Sequence, residues 1–367
     1  MWRLARSDAI TVWSNPITIQ RLQRYKAIID LKLPAKYLIA RNIPVVFDPE
    51  ATLTDLWKVH LDARKTFQNH LLAPEKELLD PNHVLSSQSF LELKAVLAQR
   101  ILHECHFCAR KCNVDRTHNL GFCEVSASSY VSSAFLHTGE EAPLVPSGTI
   151  FFSGCNLRCA HCQNHDISCN PSNGERISST QLAKIADELA SRGAKNINYV
   201  GGDPSPHLHT ILSSLKLQQF NITQLWNSNM YLSIEAMELL TDVIDFWLPD
   251  LKYLSDDCAK RISDVDNYTS TVTRNIKMAY DKSTKEMIIR VLVLPNHLEC
   301  CVIPILDWIA KNTPLAFVNI MQQYRPLWQV LKNPETYKDI SRRVTSEEIQ
   351  KAYTHAKNLG LEFRSVS

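Results

Sequence analysis

Glycine is the residue that this sequence has least of relative to other proteins, with nine in a chain of 367 residues. An average protein contains about 7% glycine, and this chain uses less than half of that share. Glycine adopts positive φ angles readily and lets the backbone approach a ligand or another segment closely. Glycines that fall inside motifs therefore indicate backbone constraint, although Gly121 is also compatible with an ordinary turn. Four glycines fall inside motifs, namely Gly121, Gly154, Gly201 and Gly202.

Strong net charge, long apolar runs and an export signal are absent as well. The formal net charge is +2, which implies no polyanionic partner, although a local basic groove is compatible with it. No apolar run reaches the length of a membrane span, and the first six residues lack the apolar stretch of a secretory signal. The eleven cysteines then indicate a reducing cytosol rather than disulfides. We expect a cytoplasmic protein with no membrane partner.

Three cysteines with the spacing C-x3-C-x2-C are the most informative feature that is present. Cys155, Cys159 and Cys162 follow an apolar stretch that ends at Phe152. In a chain with this cysteine content, such a spacing arises by chance about 0.01 times. Three thiolates on one tight loop can bind three irons of a cubane cluster and leave the fourth iron open for chemistry. The alternatives are a zinc knuckle, completed by His161 or a neighbouring histidine, and three buried thiols.

From residue 147 onward, strand-like apolar segments alternate with helical patterns. The predicted strands cover residues 148–153, 196–200, 224–226, 244–248, 287–294 and 315–321. The predicted helices cover residues 182–190, 208–217, 234–240, 256–263, 270–281, 298–311 and 346–359. This alternation is typical of a parallel sheet with right-handed crossovers, whose functional loops follow the strands. The predicted fold class is α/β, a partial (β/α)6 TIM-like barrel that is open enough for a large substrate.

The sequence predicts three regions. Residues 1–100 carry helical patterns, for example over 53–71 and 90–102, and form a helical accessory segment. Residues 101–145 form a cysteine-rich, metal-binding element. Residues 146–367 form the barrel with its C-terminal helix.

Several motifs together resemble the radical S-adenosylmethionine (SAM) superfamily. They are the cysteine loop, Gly201-Gly202-Asp203-Pro204, Asp250-Leu251-Lys252 and the segment from Arg290 to Pro295. Longer strings at 200–208, 226–231 and 294–301 are similar to an uncharacterised subgroup related to pyruvate formate-lyase activating enzyme. The resemblance covers roughly residues 105–360.

The resemblance implies a radical SAM oxidoreductase. Cys155, Cys159 and Cys162 would ligate a [4Fe–4S] cluster, and the amino and carboxylate groups of S-adenosylmethionine would chelate its open iron. Reduction of the cluster, by a donor such as flavodoxin or ferredoxin, would cleave S-adenosylmethionine to methionine and a 5′-deoxyadenosyl radical. That radical would abstract hydrogen from the substrate, since the cofactor carries the chemistry and the protein positions it.

Residues that follow the first two strands are implied to contact S-adenosylmethionine. His161 and Asn164 would lie near the adenine and the nucleoside, unless His161 faces solvent. Gly201 and Gly202 would let the backbone approach the methionine ammonium, with Asp203 as its countercharge. Superfamily members usually carry glutamate at the position of Asp203, which is also typical of a simple turn residue.

Charged and amide side chains after the later strands complete the predicted site. Lys252 and Arg290 suit the methionine carboxylate or the ribose. Asp250 would orient Lys252 or form an ordinary ion pair with it. Asn227 and Asn229 end a strand, where they either contact the ligand or cap the strand.

A second cysteine group lies upstream with the spacing C-x2-C-x3-C-x10-C. Its members are Cys105, Cys108, Cys112 and Cys123. Four thiolates can form a closed zinc site or hold an auxiliary iron–sulfur cluster, and spacing does not separate the two. Nearby basic residues could offset the thiolate charge, namely Arg110, Lys111 and Arg116. The alternative is four unrelated thiols.

The other cysteines and the substrate are less well defined. Cys169 has no motif, whereas Cys258, Cys300 and Cys301 are either buried helix thiols or contacts to a substrate or cluster. The activase histidine motif near the end of the core has no clear match in residues 318–326. Three functions are therefore expected in this order: activation of a protein substrate as a glycyl radical, modification of a small metabolite or nucleic acid, and a non-catalytic metal-binding scaffold.

Overall fold

A computed structural model describes residues 5–72 and 88–366. Within these ranges, eight strands form the sheets. The strands are β1 (Ser129–His137), β2 (Ser147–Phe152), β3 (Glu175–Ile177), β4 (Asn196–Gly201), β5 (Thr223–Ser228), β6 (Phe246–Pro249), β7 (Ile288–Leu292) and β8 (Phe317–Met321). Residues 1–4 and 73–87, which belong to the predicted accessory segment, and residue 367 lie outside the described residues.

The sheet topology confirms the α/β fold class. One sheet has the order β3-β1-β2-β4-β5-β6, and β7 pairs with β8 in a second sheet. The pairs β2–β4, β4–β5, β5–β6 and β7–β8 are all parallel. Isolated parallel bridges from Trp247 to Met287 and from Asp250 to Arg290 connect β6 with β7. The six predicted parallel strands thus follow one another around a partial barrel.

Two antiparallel strands extend the sheet beyond the sequence prediction. β1 pairs antiparallel with β2 and with β3. The sequence of β1 is rich in serine, and its apolar and polar residues do not alternate, so it carries no clear strand pattern. β3 has only three residues, which is too short for a periodic signal.

Fifteen α-helices surround and precede the sheet in the described ranges. They are α1 (Asp8–Thr11), α2 (Pro16–Arg21), α3 (Gln23–Ile29), α4 (Lys36–Asn42), α5 (Leu53–Leu72), α6 (Phe90–Ile101), α7 (His165–Ser168), α8 (Ser179–Ser191), α9 (Leu208–Leu215), α10 (Ile234–Leu240), α11 (Asp256–Ser263), α12 (Tyr268–Lys282), α13 (Ile303–Asn312), α14 (Gln329–Lys332) and α15 (Ser346–Asn358). The helix predicted over 298–311 begins as a π-helical turn, Leu298–Val302. None of these helices is both long and apolar enough to cross a membrane.

The helix α8 illustrates how the crossover helices form. Ser178 accepts a hydrogen bond from the backbone of Gln181, and the side chain of Gln181 bonds back to Ser178 in a capping box. The apolar side chains Leu182, Ala186 and Leu189 recur at helical spacing and are buried. The cap therefore sets where the helix begins, and the apolar face packs it on the sheet.

The helices before residue 102 pack on the barrel. Tyr37, Phe67 and Phe90 belong to the same cluster of buried residues as Trp226 and Trp247 of the sheet. The segment predicted as accessory therefore contributes to the main hydrophobic core.

A buried charge also connects α6 to the barrel. The side chain of Lys94 is completely buried. Its Nζ lies 2.8 Å from Oδ2 of Asp242, 3.0 Å from the carbonyl oxygen of Glu238 and 2.9 Å from Nε2 of His60. One ammonium group thus joins α5, α6 and the end of α10.

Candidate active site

The cysteine loop follows β2 and lines a cavity of about 980 Å³ at the carboxyl end of the parallel strands. Cys155, Cys159 and Cys162 all contribute to the cavity wall. Gly154, at the end of β2, has φ +87°, and a Cβ there would lie 2.8 Å from the carbonyl oxygen of Cys123. Only glycine fits this turn, which directs the loop from the strand into the cavity.

Each of the three sulfurs has a hydrogen-bond donor. The backbone N–H of Leu157 lies 3.4 Å from Sγ of Cys155, and Oγ of Ser263 lies 3.0 Å from Sγ of Cys159. Oγ of Ser168 lies 3.3 Å from Sγ of Cys162. Donors of this kind stabilise a thiolate, which is the form that binds a metal.

Burial opposes ionisation of the same thiols when no metal is bound. It raises the pKa of Cys155 and of Cys159 above the usual range, and it raises the pKa of Cys162 to about 11. A metal ligated here must displace these protons. Three thiols on one cavity wall, one buried and two half-buried, suit an iron–sulfur cluster. Within residues 5–72 and 88–366 they form no group compact enough for one ion.

The two glycines at the end of β4 allow close packing beside the cysteine loop. Gly201 has φ +128°, and a Cβ there would lie less than 3.0 Å from backbone atoms of Phe152. A Cβ on Gly202 would meet the backbone of Gly154 at less than 3.0 Å. Both glycines line the cavity. Their absence of side chains thus brings β4 against β2 and leaves backbone groups exposed to a ligand.

Asp203 organises the turn and does not line the cavity. Its Oδ1 accepts a hydrogen bond from the backbone N–H of Ser205 at 2.9 Å, and Oδ2 accepts one from Asn229 at 3.3 Å. Burial raises the pKa of Asp203 to about 6. The carboxylate therefore joins the ends of β4 and β5, as expected of the turn-residue alternative.

Lys252 and Asp250 form an ion pair on the cavity wall. Nζ of Lys252 lies 2.7 Å from Oδ2 of Asp250, and both residues line the cavity. Burial alone would lower the pKa of Lys252, but the charges of Asp250 and Cys159 outweigh it and raise that pKa. Lys252 is therefore a permanent cation near the cysteine loop, oriented by Asp250.

Arg290 is held by two acids that the sequence analysis missed. Its Nε lies 2.7 Å from Oε1 of Glu141, and its Nη2 bonds to Glu140. Burial raises the pKa of Glu140, but the charge of Arg290 outweighs it and lowers that pKa to about 2. Asn319 on β8 donates to Oε1 of Glu141 at 2.7 Å. The sequence signal that could have identified Glu140 and Glu141 was two adjacent acids in an otherwise apolar stretch before β2.

The remaining predicted residues lie around the same cavity. His161 is buried against Tyr324, with ring centroids 5.7 Å apart, and burial lowers its pKa to about 3, so the ring is neutral. Asn164 donates to the carbonyl oxygen of Gly201 at 3.4 Å. Nδ2 of Asn229 lies 3.9 Å from Sγ of Cys155. The structure thus brings these side chains together, and their roles in ligand binding remain predictions.

The four upstream cysteines lie close together in a separate place. The thiol of Cys105 hydrogen-bonds to Cys112 and lowers the pKa of Cys112 to about 5. Burial, with the charge of Cys123, raises the pKa of Cys108 to about 12. A Cβ on Gly121 would lie 3.2 Å from Sγ of Cys123 and 3.7 Å from Sγ of Cys112. Among the described residues they form no group compact enough for a single ion, so a metal there stays a prediction.

The upstream element packs directly on the cysteine loop. Nε of Arg110 donates to the carbonyl oxygen of Asn156 at 2.5 Å, and Nη2 of Arg158 donates to that of Phe122 at 2.5 Å. Both guanidinium groups lie over the ring of Phe122, at 3.5 Å and 4.4 Å from its centroid. Arg116, which is buried, lies 3.8 Å from Sγ of Cys105. The two cysteine groups are therefore fixed relative to each other.

Comparisons with known proteins identify the family of the chain. Residues 149–309 match the Radical SAM superfamily. An uncharacterized protein of Methanocaldococcus jannaschii is 41% identical over 354 residues, which are 93% of this chain and 98% of that protein.

Solved structures are similar over shorter parts. Streptococcus suis SuiB bound to S-adenosylmethionine matches with 14% identity and a TM-score of 0.43, over 57% of this chain and 47% of SuiB. A domain of pyruvate-formate lyase-activating enzyme from Bacteroides vulgatus matches with 16% identity and a TM-score of 0.36, over 46% of this chain and 98% of that domain. The chain spans less than half the length of SuiB.

Proposed function

Because the chain belongs to the radical SAM superfamily, we propose that it is an activating-enzyme-like member that acts on a protein substrate. Members of this superfamily are enzymes of radical chemistry, and they use a [4Fe–4S] cluster together with S-adenosylmethionine. The specific proposal concerns the hydrogen that the radical abstracts. It would come from the backbone of a partner protein rather than from a small metabolite.

One observation supports the proposal most strongly. Three thiols, a fixed ion pair and two backbone-exposing glycines line a single cavity of about 980 Å³. This volume is at the upper end of the usual range for small-molecule sites, so it can hold S-adenosylmethionine and a substrate segment together. A scaffold that only binds metal would have no use for the charged and glycine-rich wall.

The chain's own residues divide the binding work. Cys155, Cys159 and Cys162 would hold the cluster, which supplies the electron that cleaves S-adenosylmethionine. Lys252 carries a permanent positive charge close to the thiols and suits the methionine carboxylate. His161 offers a flat, neutral ring, which can stack on adenine without the cost of burying a charge.

The position of Arg290 favours a supporting role over direct contact with a carboxylate. Its guanidinium already bonds to Glu140 and Glu141, so its charge is balanced before any ligand arrives. Glu141 also bonds to Asn319 of β8. We infer that this group fixes the far wall of the cavity across β7 and β8 and offers its remaining polar atoms to the ribose.

Partners and surroundings follow from the same proposal. An electron donor such as flavodoxin or ferredoxin would reduce the cluster. The eleven free cysteines suit a reducing, cytoplasmic location. The upstream group of Cys105, Cys108, Cys112 and Cys123 would hold zinc or a second iron–sulfur cluster, since four thiols lie close together beside the buried guanidinium of Arg116.

Production of 5′-deoxyadenosine tests the enzyme assignment. The full chain is reconstituted anaerobically with iron and sulfide, reduced, and mixed with S-adenosylmethionine. We expect 5′-deoxyadenosine and methionine from the wild type, and at least a 100-fold loss in Cys155→Ala, because one cluster ligand is missing. Cys169→Ala is the matched control, since this nearby half-buried thiol is outside the triad. Equal activity in Cys155→Ala and Cys169→Ala would show that the assignment is wrong.

The substrate proposal needs its own experiment. The reconstituted enzyme is incubated with a candidate glycyl-radical protein, S-adenosylmethionine and reduced flavodoxin, and the mixture is examined by EPR. A glycyl radical on the partner, absent with Cys155→Ala, is the expected result. Active cleavage of S-adenosylmethionine without such a signal, but with a modified metabolite in a cell extract, would replace the protein substrate by a small molecule.

A further inference from the structure

A second group of metal-binding side chains lies outside the cavity, where α11 meets the segment after β7. Its members are Cys258, His297, Cys300 and Cys301, whose ligand atoms all lie within 4.8 Å of one another. His297 and Cys301 are buried, Cys258 is half-buried and Cys300 is exposed. The sequence favoured isolated helix thiols for these cysteines, because it gave no reason to place Cys258 beside the other three.

The distances in the group match the edges of a tetrahedron around one ion. Sγ of Cys300 lies 3.8 Å from Sγ of Cys258 and 3.7 Å from Sγ of Cys301. Nδ1 of His297 lies 3.3 Å from Sγ of Cys300 and 3.5 Å from Sγ of Cys258. Zinc bonds of about 2.3 Å to sulfur and 2.0–2.1 Å to nitrogen give tetrahedral edges of about 3.8 Å between sulfurs and about 3.5 Å from sulfur to nitrogen. The group is therefore of the size that one zinc ion requires.

Local backbone geometry explains why these side chains converge. His297, Cys300 and Cys301 are spaced i, i+3 and i+4, so they project from one face of the helical turn that begins there. That turn is π-helical over Leu298–Val302, a feature that is frequent at functional sites. Cys258 lies in the first turn of α11, where Ser255 caps the helix.

A carboxylate on a third segment orients the histidine. Nε2 of His297 lies 2.7 Å from Oδ2 of Asp339, which leaves the lone pair of Nδ1 for a metal. Arg261 bonds to the same carboxylate, with Nη1 3.1 Å from Oδ1. Histidine ligands of metals almost always donate their other nitrogen to a carboxylate, carbonyl or water in this way.

We propose that Cys258, His297, Cys300 and Cys301 bind one Zn²⁺ ion in a closed, structural site. Three thiolates and one imidazole occupy all four tetrahedral positions, so no position remains for water or substrate. Binding displaces the three thiol protons, and Arg261 lies close enough to offset the negative charge that results. A cubane cluster does not fit, because its thiolates bind different irons and must lie further apart.

The ion would join three segments that are distant in sequence. It connects α11 to the π-helical turn directly, and reaches the turn at Asp339 through His297. The other end of α11 carries Ser263, which donates to Sγ of Cys159. The proposal thus goes beyond radical chemistry and assigns a structural metal to the wall that supports the cysteine loop.

Zinc content and zinc coordination test this proposal without any assay of activity. The full chain is purified anaerobically from cells supplied with zinc, and zinc is counted per chain and examined by X-ray absorption. We expect a shell of three sulfurs at about 2.3 Å and one nitrogen at about 2.0–2.1 Å. Cys300→Ser should lose one zinc per chain. A second zinc with four sulfurs would belong to the upstream cysteines and is distinguished by Cys108→Ser.

A variant that keeps all four ligands distinguishes weaker zinc binding from misfolding. Asp339→Asn should weaken zinc affinity by about 10–100-fold in competition with a chelator, because His297 loses its carboxylate partner. Asp307→Asn is the matched control, since Asp307 pairs with His355 at 2.7 Å and neither residue belongs to the group.

Three results would overturn the site. They are wild-type protein without zinc, zinc that both Cys300→Ser and Asp339→Asn retain at full affinity, and a disulfide between Cys258 and Cys300 in the anaerobic protein. None of these results measures cleavage of S-adenosylmethionine, so the enzyme assignment is tested separately.

Discussion

A single buried carboxylate, Glu286, caps a helix from a distant part of the chain. Its two oxygens accept hydrogen bonds from the backbone N–H groups of Arg24 and Tyr25, at 2.6 Å and 2.8 Å. These donors lie in the first turn of α3, whose own N-cap residue, Leu22, makes no side-chain cap. Burial raises the pKa of Glu286 to about 7 from an ordinary value of 4.5.

The stability of the protein should depend on pH through this residue. The folded state binds the proton more tightly than the unfolded state, so the contribution is fully present below pH 4.5 and is lost as the pH rises through 7. Glu286→Gln removes this titration. Between pH 4.5 and 8, the wild type should lose up to about 3 kcal/mol more of its unfolding free energy than the variant.

Chemical denaturation at several pH values measures that difference, with Glu348→Gln as control. A hydrogen bond from Arg342 lowers the pKa of Glu348 to about 2, so its titration lies below the tested range. If wild type and Glu286→Gln change in parallel between pH 4.5 and 8, Glu286 titrates normally and the argument is wrong.

The sequence predicted residues whose type is required by the chemistry of the site, but it did not predict which side chains bond to each other. The cysteine loop, Gly201, Gly202 and Lys252 could be identified because each follows a strand with a recognisable pattern. The hydrogen bond between Arg290 and Glu141 joins residues 149 positions apart, and no local sequence pattern predicts it. The bond of Asp203 to the backbone of Asn229, just after the next strand, was likewise not predicted, and a contact of Asp203 with the methionine ammonium stays a prediction.

Helix caps show how local sequence fixes an element. Ser178 begins α8 by accepting from the backbone of Gln181, and the reciprocal bond completes the capping box. Such caps contribute about 1 kcal/mol to stability.

Replacing the cap should therefore have a measurable cost. Ser178→Ala should lower the free energy of unfolding by about 1 kcal/mol, because the backbone N–H of Gln181 in the first turn of α8 loses its partner. Ser179→Ala changes the same atoms one position later, inside the helix, and should leave stability within about 0.5 kcal/mol. Thermal or urea unfolding of both variants measures this difference. Equal losses of unfolding free energy in the two variants would contradict the assignment of the cap.

Elements with a clear period were predicted well, and irregular ones were missed. The six parallel strands and their crossover helices follow from apolar runs and helical spacing. The sequence analysis did not predict β1, because its pairing with β2, rather than its own residue pattern, makes it a strand. The π-helical turn at Leu298–Val302 also depends on tertiary packing. The proposed metal-binding group includes residues of this turn, and the sequence analysis missed it as well.

At the scale of the whole molecule, a buried cation joins the N-terminal helices to the barrel. Lys94 of α6 contacts Asp242 and the carbonyl oxygen of Glu238, and both lie in or near α10. Arg64 of α5 reaches the same carboxylate, with Nε 3.2 Å from Oδ1 of Asp242. Removing one partner of a buried pair leaves the other charge poorly compensated, which is strongly destabilising.

Lys94→Met should destabilise the protein by about 3 kcal/mol, because Asp242 stays buried with one cation fewer. Lys277→Met serves as control. It breaks an exposed pair with Asp281, whose atoms Nζ and Oδ1 are 2.6 Å apart, and should cost less than about 1 kcal/mol. Urea unfolding compares the two, and similar losses would show that the helices before residue 102 do not depend on this contact.

The helix α11 has contacts of chemical importance at both ends. Cys258 lies in its first turn and Ser263 at its last residue, about 7.5 Å further along the axis at 1.5 Å per residue. A rigid rod of this length transmits a displacement at one end to the other. With zinc at Cys258, a cell starved of zinc would lose activity at an iron centre whose three cysteines are all intact, and a shortage of one metal would look like a defect in the other.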